Sequence, residues 1–178
     1  MNKTDVLNKA LILLGQGVIV EPSAEVIINK VYDNVKERLL RSHPWSCALK
    51  DYVLDHVNDV PPFKFKYMFV IPSDCLRVIA NFQENTIAVR KGRYLYSDEP
   101  VLKFVGISNI EEAFMSSEVI SLLSYDLAIE TCMAYTSDKN LKEQLRTERE
   151  IMLARAKMND VKESSETEVE YNCGWGLR

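Results

Sequence analysis

The run Phe63-Lys64-Phe65-Lys66-Tyr67-Met68-Phe69-Val70-Ile71-Pro72-Ser73-Asp74-Cys75-Leu76-Arg77-Val78 decides the fold class. Phe63, Phe65, Tyr67 and Phe69 recur at every second position, between Lys64, Lys66 and Met68. Period-two alternation sends the two sets to opposite faces of a strand. Four aromatics on one face carry a large apolar area that must be covered. Pro72 donates no ladder hydrogen bond, and Ser73 and Asp74 favour a turn, so the strand is expected to stop there and a second to start at Cys75. Phe65, Tyr67, Phe69, Pro72 and Leu76 are therefore expected in the structural core.

Turn signals continue downstream. Gln83-Glu84-Asn85, Lys91-Gly92 and Ser97-Asp98-Glu99-Pro100 separate the short β-rich runs Thr86–Val89, Arg93–Tyr96 and Val101–Val105. Such spacing predicts an antiparallel meander over residues 63–106. Asp51 to Pro62 has mixed polarity and ends in Pro61-Pro62, so it reads as a connection with little strand.

Helical periodicity flanks this β region on both sides. Val6, Leu7, Ala10, Leu11 and Leu14 make one stripe over 4–14, capped by Thr4 or Asp5 and closed by Gly15 and Gly17. Ala24, Ile27, Ile28, Val31, Val35 and Leu39 make another over 22–42, stopped by Pro44. Trp45 directly follows that break and is expected to pack the helix onto the sheet. A wide apolar face over 111–136 marks a central helix. Leu141, Leu145, Met152 and Ala156 give 140–159 a narrow seam, with Arg149, Glu150 and Arg155 on its outside. The fold class is α+β: a helical bundle with an inserted antiparallel β-sheet, residues 1–160, and an extended C-terminal arm, 161–178.

The arm is acidic and without period from Val161 to Glu170, then ends Tyr171-Asn172-Cys173-Gly174-Trp175-Gly176-Leu177-Arg178. An aromatic cluster on a charged tether suits a segment that orders on a partner. A frayed or self-packed terminus fits the same residues.

A chain of 178 residues suffices for one well-buried core. Its formal charge of −4 is uneven: residues 1–110 hold 14 Lys/Arg against 12 Asp/Glu, residues 111–178 hold 8 against 14. That balance speaks against a dedicated nucleic-acid binder. Lys64, Lys66, Arg77, Arg90, Lys91, Arg93 and Lys103 nevertheless concentrate in the β region, interleaved with Tyr94 and Tyr96. They suit either contact with a nucleic-acid backbone or protection of sheet edges. Cys47, Cys75, Cys132 and Cys173 never form a CxxC pair, and neither His43 nor His56 stands in metal-ligand spacing. No cofactor or metal is expected, and nothing reads as a catalytic constellation. No apolar run approaches the roughly 18 residues a bilayer span needs, and the start lacks a secretory pattern. A soluble chain made in the cytoplasm is expected.

The order of these words resembles the head-to-tail adaptor family of tailed bacteriophages, called tail tubular protein A in short-tailed phages. Pro44-Trp45-Ser46-Cys47-Ala48, Tyr67-Met68-Phe69-Val70-Ile71-Pro72-Ser73-Asp74-Cys75-Leu76-Arg77-Val78 and Gly92-Arg93-Tyr94-Leu95 carry the resemblance, which spans about Asp5 to Asn159. Cys47 stands where phenylalanine is common and Ile71 where leucine is, and the leucine-rich ending is missing. The resemblance implies a non-enzymatic structural virion protein: a dodecameric ring under the portal, in the head-to-tail neck, made in the host cytoplasm. Such a ring docks on the portal protein, extends the channel for genomic DNA without sequence recognition, and offers an attachment surface to the tail nozzle. It places Tyr171, Trp175, Leu177 and Arg178 toward the portal, and Glu84, Asn85, Gly92 and Arg93 near subunit or tail contacts. Two other classes stand beside it: a DNA-binding module using the basic β region, and a virion-associated cell-wall hydrolase.

Overall fold

The computed structural model describes residues 1–18, 26–57, 61, 64–81 and 87–172. The chain divides into two units, Met1–Cys47 with Glu111–Arg178, and Ala48–Ile110.

The first unit is helical: α1 Lys3–Leu13, α2 Val26–Ser42, α3 Ser117–Tyr135 and α4 Lys139–Asn172. Local chemistry sets most of the ends. Asn2, rather than Thr4 or Asp5, caps α1: its side chain accepts the Asp5 N–H while Asp5 accepts the Asn2 N–H, both at 2.9 Å. This reciprocal box satisfies two donors that an opening turn leaves free. At the other end Gly15 takes φ +68°, and the N–H groups of Gly15 and Gln16 return to the carbonyls of Ile12 and Leu11. That paired return closes a helix whose next residue must be left-handed. Ser116 caps α3, and Asp138 caps α4 by accepting from the N–H groups of Asn140 and Leu141.

The central helix is α3, as its wide apolar face predicts. It packs against α1, α2 and α4, and buries Val119, Ile120, Leu122, Leu123, Leu127, Ala128 and Cys132. It starts at Ser117 and not at 111, so Phe114 lies before it in a short 3-10 turn and is 68% exposed. Leu145 and Ala156 of α4 are buried as expected. Arg149, expected on the outside, is only 18% exposed and clamps Asp126 of α3 with two bonds of 2.8 and 3.2 Å. Two parallel bonds to one carboxylate make a partly buried pair that a lysine cannot reproduce. α4 also runs past Asn159 to Asn172. No glycine or proline interrupts 139–172, so nothing in the backbone stops the helix where its apolar seam ends.

The described residues of the second unit form six strands in two antiparallel three-stranded sheets: β1 Leu49–Asp55, β2 Tyr67–Val70, β3 Cys75–Asn81, β4 Val89–Lys91, β5 Tyr94–Ser97 and β6 Val101–Ser108. The orders are β1-β6-β3 and β2-β5-β4, which replace the single meander expected from sequence. β1, read as a connection, pairs along its length with β6, from Leu49 opposite Ile107 to Asp55 opposite Val101. Within that register Tyr52 stacks on Phe104, ring centroids 5.1 Å apart. The aromatic strand is shorter than its alternation suggests. Lys64 stands at φ +76°, a conformation that L side chains rarely adopt and that breaks the pleat, so Phe65 lies before β2, which holds Tyr67 and Phe69; Phe63 lies outside the described residues. The turn Pro72–Cys75, closed by the Cys75 N–H on the Pro72 carbonyl at 3.0 Å, carries the chain from one sheet to the other. One apolar cluster draws on both sheets: Tyr52, Phe69, Ile71, Cys75, Leu95, Leu102 and Phe104.

Candidate interaction surfaces

Pro72–Val78, the stretch that crosses between the two sheets, is tied down by one carboxylate. From the crossover turn, Asp74 Oδ2 accepts from Lys50 Nζ at 2.7 Å, Tyr52 Oη at 3.2 Å and Ser108 Oγ at 3.4 Å. Its backbone carbonyl takes the Asn109 N–H at 2.7 Å. One carboxylate thus ties the start of β3 to β1 and to the end of β6. The Lys50 hydrogen bond, against a smaller cost of burial, holds the Asp74 carboxyl below its usual range. Burial pushes the Tyr52 hydroxyl up to about 12, and burial together with the adjacent Asp74 charge pushes the Cys75 thiol up. Such a shift disfavours the thiolate, the nucleophilic form of the side chain. Gly106 of β6 makes the close packing possible: a Cβ there would lie 3.0 Å from Cys75 Sγ, 3.0 Å from Tyr52 Cε2 and 3.1 Å from the Arg77 carbonyl.

Trp45 is 1% exposed and belongs to the helical unit. Its indole N–H donates to the Leu39 carbonyl at 3.1 Å, and the His43 ring meets it edge-on at 4.6 Å. His43 Nε2 lies 3.3 Å from Asp160 Oδ2 of α4, and Asp160 Oδ1 accepts the Ser46 N–H at 2.9 Å. A histidine beside a carboxylate has the form of a catalytic dyad. Here both carboxylate oxygens are engaged in holding the α2 exit to α4. The space around Trp45, Ser116 and Ala156 is about 10 Å³, room for one water at most. The Cys47 thiol nearby is raised by burial. This cluster, whose members lie far apart in sequence, anchors the chain where it leaves the helices.

Of the other residues singled out, Phe69 and Leu76 are buried, while Phe65, Tyr67 and Pro72 are half-buried. Gly92 and Arg93 form the two-residue tip of the β4–β5 hairpin, with Lys91 opposite Tyr94. Gly92 at φ +61° supplies the left-handed first position of that tight reversal. Glu84, Asn85, Trp175, Leu177 and Arg178 lie outside the described residues; Tyr171 falls in the last turn of α4, with its side chain outside them.

Two surfaces suit a partner. The first is the β2–β5–β4 sheet, where Arg90, Lys91 and Arg93 are exposed at the edge strand and hairpin tip. Lys91 Nζ stands 5.8 Å from the Tyr96 ring, and the Arg93 guanidinium 6.0 Å from Tyr94. The second is a stripe on α4: Ile151 (52% exposed), Ala154, Met158 (62%) and Val161 (60%). Their 3-4-3 spacing puts them on the side of the helix away from Leu145 and Ala156. That spacing was visible in the sequence, but the charged residues around it mask it as a solvated face. Among the described residues no group of histidine, cysteine, aspartate and glutamate is arranged to hold a metal ion, and no helix is long and apolar enough to cross a membrane. No family model matches the chain, and no curated protein matches its sequence.

Proposed function

We propose that this chain is a structural subunit of a phage head-to-tail adaptor ring. In this reading copies assemble under the portal in the virion neck, lengthen the DNA channel and present the tail with a docking surface. The observation that carries it is architectural: a helical bundle interrupted once by an antiparallel β unit, the arrangement that the resemblance implies. The two open surfaces, a basic aromatic sheet edge and an apolar helix stripe, are what a subunit with several neighbours requires. The clusters that resemble catalytic groups are occupied in holding strands and helices together. In the same reading the C-terminal aromatics, Tyr171 and Trp175, reach the portal.

The test is to mix the purified chain with the portal protein encoded by the same genome and weigh the products. Each bound subunit adds 20.4 kDa. The expected product is a portal carrying a full ring of adaptor. A chain that never joins the portal, or that turns over a cell-wall glycan, would refute the reading.

A further inference from the structure

We infer that the basic edge of the β2–β5–β4 sheet docks the acidic last turns of α4 from a second copy of this chain. The inference deepens the adaptor reading, on which it rests only for closure of the contact into a ring.

The receiving surface is built by strand register. Val89 opposite Tyr96 and Lys91 opposite Tyr94 share one face with Met68 and Val70, which pair with the same two tyrosines. Met68, Val70, Val89, Tyr94 and Tyr96 are all half-buried, so apolar and aromatic area remains on the outside. Lys91 lies on that face and Arg93 at its tip, while Arg90, opposite Leu95, belongs to the other face; no acidic residue stands between Val89 and Ser97. Among the described residues β4 pairs on one side only, with β5, which makes it an edge strand. Such a surface takes an anionic segment that also carries some apolar side chains.

The chain itself holds such a segment. The buried seam of α4 ends at Ala156, yet the helix continues to Asn172. After Asp160, which His43 and Ser46 occupy, residues 161–170 contain Glu163, Glu166, Glu168 and Glu170 against Lys162 alone, together with Val161 and Val169. Glu166 and Glu170 stand four apart, a spacing at which like charges along one helix repel. Cations from outside the helix would relieve that repulsion.

The two charges sit in different units, so every copy offers both halves of the contact. A contact between unlike patches is heterologous, and it generates a ring when its rotation closes. A nucleic acid fits less well, because the chain carries a net charge of −4 and the acidic excess lies in residues 111–178.

The experiment uses the full chain. Sedimentation and single-particle mass measurements over a concentration series are made at low and high salt, about 0.05 and 0.5 M. Lys91→Glu/Arg93→Glu and Glu166→Lys/Glu168→Lys/Glu170→Lys are compared with the wild type, and circular dichroism checks that each is folded. Wild-type association is expected to weaken with salt, and each reversed chain to associate at least about tenfold more weakly. Mixing the two reversed chains is expected to restore association. A wild-type chain that stays monomeric at every concentration, or a mixture that does not recover, overturns the inference. So does a hairpin variant that loses duplex DNA binding while still self-associating. Portal binding is read separately: chains that associate through this contact but ignore the portal refute the adaptor reading alone.

Discussion

Replacing Asp74 tests whether the most recognisable word of this sequence is a structural fastening. The Lys50–Asp74 pair is 53% and 38% exposed, so solvent screening limits it to about 1 kcal/mol or less. The Tyr52 and Ser108 bonds, at 3.2 and 3.4 Å, are longer than a well-formed O–H···O bond, so together they add about 1 kcal/mol. Asp74→Ala should therefore cost about 2 kcal/mol, which for a chain this size lowers the thermal midpoint by about 4–8 °C. Asp74→Asn keeps the shape and an acceptor, and should lose about half as much. The sign of the pH effect follows from the depressed carboxyl. The contribution is fully present above the unfolded carboxylate pKa and is lost as pH falls through the lower folded value. Wild type and Asp74→Asn should differ at pH 7 and converge once the pH has fallen well below about 4. Urea titration at several pH values measures this directly. A loss under about 0.5 kcal/mol for Asp74→Ala at pH 7, or a difference from Asp74→Asn that does not shrink in acid, would show that the carboxylate does not pin the strands.

Gly106→Ala should destabilise the β unit by about 1–3 kcal/mol, because the new methyl meets Cys75, Tyr52 and a backbone carbonyl that cannot withdraw; urea unfolding checks it. Arg149→Lys should cost about 1 kcal/mol and Arg149→Ala about 2–3 kcal/mol, since Asp126 is only 12% exposed and is left unpaired. A double-mutant cycle with Asp126→Ala separates that pair from the packing of the arginine stem. Removing Tyr171–Arg178 should leave the thermal midpoint unchanged and abolish binding to the portal, read by pull-down; undiminished capture would exclude the arm from the docking surface.

Features set within a few residues were legible in the sequence. Gly15 ends α1, Gly92 turns the hairpin and Pro44 follows the end of α2, each through backbone restrictions that hold wherever the residue stands. The central place of α3 was legible too, because a helix apolar on most sides has to be enclosed. β1 was not. Leu49 and Val53 are 41% and 65% exposed and Tyr52 alone is fully buried, so the strand has no alternation to read. Its existence depends on β6 lying beside it. The same holds for Arg149, an ordinary surface charge until Asp126 of α3 is placed against it, and for the His43–Asp160 contact beneath Trp45. Division of the strands into two sheets was likewise settled away from the local sequence. Turn residues fix where a chain reverses, whereas the partner a strand takes depends on which distant surface covers its apolar face. Local geometry is written in neighbouring residues; pairing and burial are decided only when the whole chain competes for the same core.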